Sequence, residues 1–163
     1  MTFLRHTIRL QTTKAVEVVD ITSQVRDFTK SSGLRDGLIV VASRHTTLGV
    51  AINERCEKLQ ADMVDFLVRL VPPDGEYRHN LVAGDGRPNA HSHLLSLMVP
   101  SQVTLVLHRQ NLMVRTVPHL QLSRERDVVE DGELDLGSWQ SIFAIELDGP
   151  RKSREIALTA MGQ

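Results

Sequence analysis

The stretch DGLIVVAS, residues 36–43, sets five apolar side chains in an unbroken row. A strand with one wet face alternates polar and apolar residues, so an unbroken run predicts a strand buried on both faces. A chain holding such a strand has to build layers around it. The rest of the sequence supplies more strands than helices. FLRHTIRL (3–10) and AVEVVDI (15–21) read as strands, and LGVAINE (48–54) reads as the sheet neighbour of 36–43 across the polar turn Arg44–Thr47. QVTLVLHR (102–109), DVVEDGELDLG (127–137, with a hairpin-type turn) and SIFAIELDGPRKSREIAL (141–158) follow, the last as two strands about Asp148-Gly149-Pro150.

Helices are fewer. Ile21, Val25 and Phe28 recur at helical spacing before Gly33. Residues 55–70 carry a stripe of Cys56, Leu59, Met63, Phe66, Leu67 and Leu70, halted by Pro72-Pro73. Residues 74–90 are rich in Gly, Asp, Asn and Pro and read as a long loop of the kind that serves function. Residues 110–126 carry mixed signals and take no assignment. The sum is one α+β domain over 1–163, a mostly antiparallel, β-sandwich-like core with a few flanking helices.

Composition narrows the function. A net charge of −1 argues against nucleic acid as the partner, since such domains are usually basic. No apolar run reaches the length of a membrane span. A single cysteine, Cys56, rules out an internal disulfide framework and fits a reducing compartment, so a cytoplasmic protein is expected.

Three stretches carry residues of catalytic type. SRHTTLGVAINE (43–54) brings His45, Thr46 and Thr47 to a strand end, where they face an anion or simply form a polar turn. Asn53 and Glu54 close that strand or cap the next helix. EYRHN (76–80) sets His79 near the only tyrosine, Tyr77. NAHSHL (89–94) is decided by its local structure. In a strand His91 and His93 would share a face, whereas in a helix they lie about 200° apart. Asn89 is a good N-cap, and Leu94, Leu97 and Met98 follow at helical spacing, so a short helix ending before Pro100 is expected, with His93 turned to the site. Further metal ligands would have to come from His45, His79, Glu54 or Asp85. Near the C-terminus Trp139 suits a core or interface plug and Gln140 a substrate contact. Arg151, Lys152 and Arg154 form a solvated face or attract a phosphorylated ligand.

Taken together, His45-Thr46-Thr47 with Asn53-Glu54, Tyr77-Arg78-His79-Asn80, Asn89-Ala90-His91-Ser92-His93-Leu94, Leu136-Gly137-Ser138-Trp139-Gln140 and Glu146-Leu147-Asp148-Gly149-Pro150-Arg151 resemble the YjbQ family, small proteins described as secondary thiamine-phosphate synthases. Relative to that pattern, residues 102–126 look like an insertion, and nothing carries over to His108 or His119 within it. The resemblance implies a β-rich α+β fold that assembles as a homotrimer. It implies a small metabolic enzyme acting on a phosphorylated small molecule, a thiamine-phosphate synthase-like transferase. In it His45, His79 and Glu54 would be catalytic, and Thr46, Thr47, Asn89 and Gln140 would bind substrate. His45, His79 and His93 would hold a divalent metal, zinc or magnesium. A metal-dependent hydrolase and a trimeric metabolite- or metal-binding protein without turnover are the alternatives.

Overall fold

The computed structural model describes residues 1–82, 84, 86–108 and 132–163. Its elements run β1 (Thr2–Thr12), β2 (Glu17–Asp20), α1 (Thr22–Ser32), β3 (Gly37–Ser43), β4 (Leu48–Glu54), α2 (Glu57–Leu70), a 3-10 turn (Arg78–Leu81), α3 (Ala90–Leu95), β5 (Gln102–His108), β6 (Glu133–Leu134), β7 (Gln140–Glu146) and β8 (Arg151–Gly162). The strands form two antiparallel sheets, one ordered β1-β8-β3-β5-β6 and the other β2-β7-β4. This is the α+β, sandwich-like architecture the residue pattern predicts. The main core lies between the sheets, where Ile39, Val41, Leu105, Ile156 and Leu158 meet Leu48, Val50, Ile142 and Ala144, with Val25 and Phe28 of α1 closing one side. A second core, Phe143, Ile145 and Leu147 with Leu67, Leu95 and Val99, fills the other face of the small sheet under α2 and α3.

Three expectations need correction. β3 and β4 are not sheet neighbours: β3 lies between β8 and β5, while β4 pairs with β7 in the other sheet. The Arg44–Thr47 turn is a crossing between layers. Nor is β3 buried on both faces. Ile39 and Val41 are fully covered, but Leu38 is 39% exposed, and its register neighbour Val106 is 49% exposed. The strand buried on both faces is β7, which sends Ile142 and Ala144 into one core and Phe143 and Ile145 into the other. On α2 the covered stripe is Val64, Leu67, Val68 and Val71, and Phe66 and Leu70 face outward. The run is apolar on nearly half its circumference, so periodicity could not say which edge meets the sheet.

Two glycines mark close approaches. A Cβ on Gly49 would sit 2.2 Å from Val99 Cγ1, and one on Gly149 would sit 2.0 Å from the Lys14 carbonyl oxygen. The first lets the segment after α3 lie against β4, where the Val50 N–H donates to the Pro100 carbonyl at 2.7 Å. Strand 127–137 is described only from Gly132 on, and there it pairs through just Glu133 and Leu134. Of the stretch read as an insertion, 102–108 is β5, and the remainder, with His119, lies outside the described residues.

Candidate functional site

Alternation along β7 explains the strongest polar feature of the molecule. Ile142 and Ala144 face the inter-sheet core, so Glu146 must face it too. Its side chain is fully buried. Arg154 of β8 donates to it from Nε at 2.6 Å and from Nη2, Thr12 Oγ1 donates at 3.0 Å, and the N–H groups of Leu147 and Asp148 donate at 3.1 and 2.9 Å. Burial opposes ionisation of this carboxyl most strongly, but the Arg154 bonds, the Asp148 N–H, the Arg154 charge and Thr12 together outweigh it. The Glu146 pKa is therefore held below its ordinary value. Arg154 Nη2 also donates to Thr47 Oγ1 at 3.0 Å. Arg154 is thus an interior residue and not part of a solvated face.

The chain beyond Glu146 ties this network to α3. Asp148 accepts from Asn89 Nδ2 at 3.0 Å and from Arg151 Nη2, and Arg87 stands 3.7 Å from it. α3 begins at Asn89, as expected, though Asn89 spends its amide on Asp148 instead of capping the helix. Ser92 Oγ donates to the Leu147 carbonyl. That hydroxyl is left to accept from His91 Nε2, 3.1 Å away, so His91 Nδ1 carries a lone pair. Both His91 Nδ1 and Asn89 Oδ1 are buried acceptors without a donor among the described residues. On the adjacent surface the rings of His79 and His93 meet edge to face, centroids 5.1 Å apart.

His45 joins the same end of the molecule. Its Nε2 accepts the Glu155 N–H at 2.8 Å, which places the proton of the neutral ring on Nδ1. Burial first, then the Arg154 charge, holds its pKa below the ordinary histidine value. Burial also lowers His91, with Asp148 opposing and His93 assisting. Below pH 6.5 the unfolded chain binds protons that these two folded imidazoles refuse, so stability falls as pH falls through that range. A second loss follows in stronger acid, as Glu146 is forced to protonate below the ordinary glutamate range. Melting temperatures measured from neutral to acid pH should show both steps, and His91→Gln should shrink the first. A flat profile through the first range would contradict the assignment.

The resemblance places Glu54 and Gln140 with the histidines, but within one chain they are remote. On the β4–β7 ladder Leu48 pairs with Glu146 and Glu54 pairs with Gln140. Six residues at ~3.3 Å each separate those rungs by about 20 Å. The far end has its own cavity of about 610 Å³, lined by Asp20, Thr22, Ser23, Arg26, Arg55 and Ser138–Ser141. Hydrogen-bond donors dominate it. Arg26 makes no hydrogen bond or ion pair among the described residues. Arg55 lies 3.4 Å from Asp20, the one carboxylate in the lining. Gln140 Oε1 accepts the Gly137 N–H at 2.8 Å, which leaves its NH2 group to donate. α1 starts here at Ile21, which has no side chain able to cap it. Trp139, expected as a core or interface plug, is 75% exposed at the rim and takes no part in the core.

The resemblance implies a divalent metal, and its donor set can be tested. Among the described residues no three His, Cys, Asp or Glu side chains gather as a metal cage. His79 and His93 meet, but His45 has its lone pair on a backbone amide. Asp85 lies outside the described residues. The described residues of one chain therefore do not fit a complete zinc site, which takes three or four ligands.

The two-sheet frame, the buried Glu146 and the strand-end motifs can be compared with known proteins. The model of the family described as "UPF0047 protein YjbQ-like" matches residues 6–123 and 115–163. The chain belongs to this family. A UPF0047 protein of Methanothermobacter thermautotrophicus is 38% identical over 94% of this chain and 89% of its own length. One from Archaeoglobus fulgidus is 36% identical over 91% and 95%. Among solved structures, a YbjQ-like protein of unknown function from Sulfolobus solfataricus superposes with a TM-score of 0.80 at 27% identity, covering 99% of both chains. A hypothetical protein of Aeropyrum pernix K1 gives 0.78 at 31% identity, over 98% of this chain and 99% of that one.

Sequence reasoning missed Arg26, Arg55 and the Glu146–Arg154 pair. The last was signalled by IFAIE, where alternation puts a glutamate on the face of Ile142 and Ala144 and so demands a buried cation. Nothing in the sequence announced Arg26 and Arg55, which come together only because the start of α1 packs on β7, whose other edge pairs with β4.

Proposed function

We propose that this UPF0047 protein is a small cytoplasmic metabolic enzyme acting on a phosphorylated or pyrophosphorylated metabolite, assembled as a homotrimer. Its family-derived form is a transferase that joins a pyrimidine pyrophosphate to a thiazole phosphate with loss of pyrophosphate. The observation that carries the reading is the donor-rich cleft, whose volume lies within the range of small-molecule pockets. Guanidinium groups are suited to phosphate because they offer charged donors in a fork. Arg26 and Arg55 hold the phosphate and take up charge on the departing group, and Gln140 orients the substrate. His45 contributes an Nδ1–H donor, with Thr46 exposed beside it and Thr47 and Asn89 as the buried frame below. His79 is the acid/base group, and Glu54 lies at the cleft end of β4. A divalent ion, zinc or magnesium, comes with the pyrophosphate instead of from a cage in one chain. The meeting of His79 and His93 favours a second reading, a metal-dependent hydrolase, in which water replaces the thiazole phosphate as acceptor.

Titration calorimetry with inorganic pyrophosphate tests the cleft. A charged hydrogen bond is worth about 1.5–3 kcal/mol, so Arg26→Ala and Arg55→Ala should each weaken binding by a factor of about 10–100. Absence of binding, or affinity indifferent to both substitutions, would refute the reading.

A further inference from the structure

Eleven residues long, β1 stands at an edge of the larger sheet and pairs, among the described residues, with β8. Register shows which of its backbone groups are free. The Arg44 N–H donates to the Glu155 carbonyl at 3.1 Å, so the odd-numbered residues of β8 bond to β3. The even-numbered ones bond to β1, where their partners are Leu4, His6, Ile8 and Leu10. Phe3, Arg5, Thr7 and Arg9 therefore turn their N–H and C=O groups away from the sheet. Among the described residues no backbone group bonds to them. Such a row is a template for another strand.

Edges of this kind are commonly blunted by charge, and β1 carries charge of one sign. Arg5, His6, Arg9 and Lys14 all precede the first carboxylate of the sequence, Glu17. Arg5 lies over the Phe3 ring, 4.9 Å from its centroid, and meets no carboxylate among the described residues. Arg9 stands 3.3 Å from Glu155, in an exposed pair that water screens. One sign repels a strand of like charge and admits one of opposite charge. Two copies of this chain joined through β1 would gather their Arg5 and Arg9 side chains on one face, which disfavours a second copy as occupant.

The inner side of the edge offers a cavity. Leu4 and Ile8 point to the core, so His6 does too, and its ring stacks on Phe28 with centroids 5.7 Å apart. A cavity of about 360 Å³ lies there, lined by His6, Gln24, Asp27, Phe28 and Ser31. No residue of β8 lines it, so it opens on the unpaired side of β1. Asp27 and Gln24 in its wall suit a side chain with a hydrogen-bond donor.

We propose that β1 takes up an extended acidic segment of another protein as an added strand of the sheet. A strand laid beside β1 alternates its side chains between the two faces. Paired antiparallel, the segment sets carboxylates four residues apart opposite Arg9 and Arg5, and the side chain just before the second carboxylate enters the cavity beside His6. Main-chain bonds supply affinity, while the charges and the cavity supply selection. This surface is separate from the anion-binding cleft, and the proposal stands whether or not the cleft binds pyrophosphate.

Fluorescence anisotropy with the labelled peptide Thr-Val-Glu-Val-Thr-Asn-Glu-Val-Thr tests the edge. The peptide should bind the wild type, and a twin with lysine in place of both glutamates should not. Methylating the amide nitrogen of the central threonine, which faces Thr7, should weaken binding by a factor of about 10, since it removes a main-chain bond. Methylating the valine before it, whose N–H faces away, should leave binding unchanged. Thr7→Pro should repeat the loss from the protein side, because the N–H it deletes takes no part in the ladder with β8. Arg5→Glu should weaken the acidic peptide and strengthen a twin whose second glutamate alone is lysine. The methylated peptides decide the matter even if Thr7→Pro fails to fold. No binding, equal binding of the lysine twin, or indifference to the position of the methyl group would each overturn the proposal. A folded Thr7→Pro variant that changes oligomeric state would also overturn it, by assigning the edge to a second copy.

Discussion

Arg154→Met should cost about 3–5 kcal/mol of folding stability, the penalty for stripping a buried charge of its partner. Glu146 is fully covered, and without Arg154 it keeps only Thr12 and two backbone N–H groups. Those donors solvate a carboxylate but bring no net positive charge. Thr47 loses its partner in the same step, which loosens the turn that carries His45. Urea denaturation at neutral pH checks the magnitude. The penalty should shrink in acid, because a protonated Glu146 needs no cation. Pairing the change with Glu146→Leu should recover most of the loss, since a buried ion pair replaced by apolar residues of similar volume is often neutral. A loss below about 1 kcal/mol would mean that the interior is wetter than the structure implies.

His79→Gln should lower turnover by a factor of about 10²–10⁴ with KM little changed, the signature of a lost proton-transfer group rather than a lost binding contact. The reaction to follow is release of pyrophosphate from a pyrimidine pyrophosphate in the presence of a thiazole phosphate. His79 lies on the exposed 3-10 turn and has no hydrogen bond from its side chain among the described residues, so the melting temperature should not move. His93→Gln should produce a smaller loss, since in this reading His93 positions His79 through ring contact. Equal turnover in wild type and His79→Gln would remove His79 from the acid/base role. Hydrolysis with no transfer would favour the hydrolase.

Much of this molecule was legible in the residue pattern. Strand periodicity and turn residues located β1, β3, β4, β7 and β8, and Gly33 and Pro72-Pro73 bounded α1 and α2. Asn89 marked the start of α3. These are local signals, written in side chains a few residues apart, and they require no knowledge of what lies across the core. Pairing was not legible. The assignment of β3 and β4 to one sheet failed because strand order is decided by which apolar faces meet, and both strands fit either sheet by composition. The same holds for α2, whose broad apolar surface suits more than one docking angle.

The motifs supplied the candidates for chemistry. His45, His79, Asn89, His93 and Gln140 could be chosen from their neighbours in sequence, as could Thr46, Thr47 and Glu54. Only the tertiary structure decided where each one stands. It locked the lone pair of His45 on a backbone amide, drew Arg154 and Arg151 inward, and set Glu54 and Gln140 about 20 Å from the Glu146 rung. The physical reason is that a β-ladder fixes distance by register and direction by alternation, and both depend on the partner strand. The sequence by itself determined the strands, the helix boundaries and the chemical vocabulary. The packing of one sheet on the other determined which of those groups are free to meet a ligand.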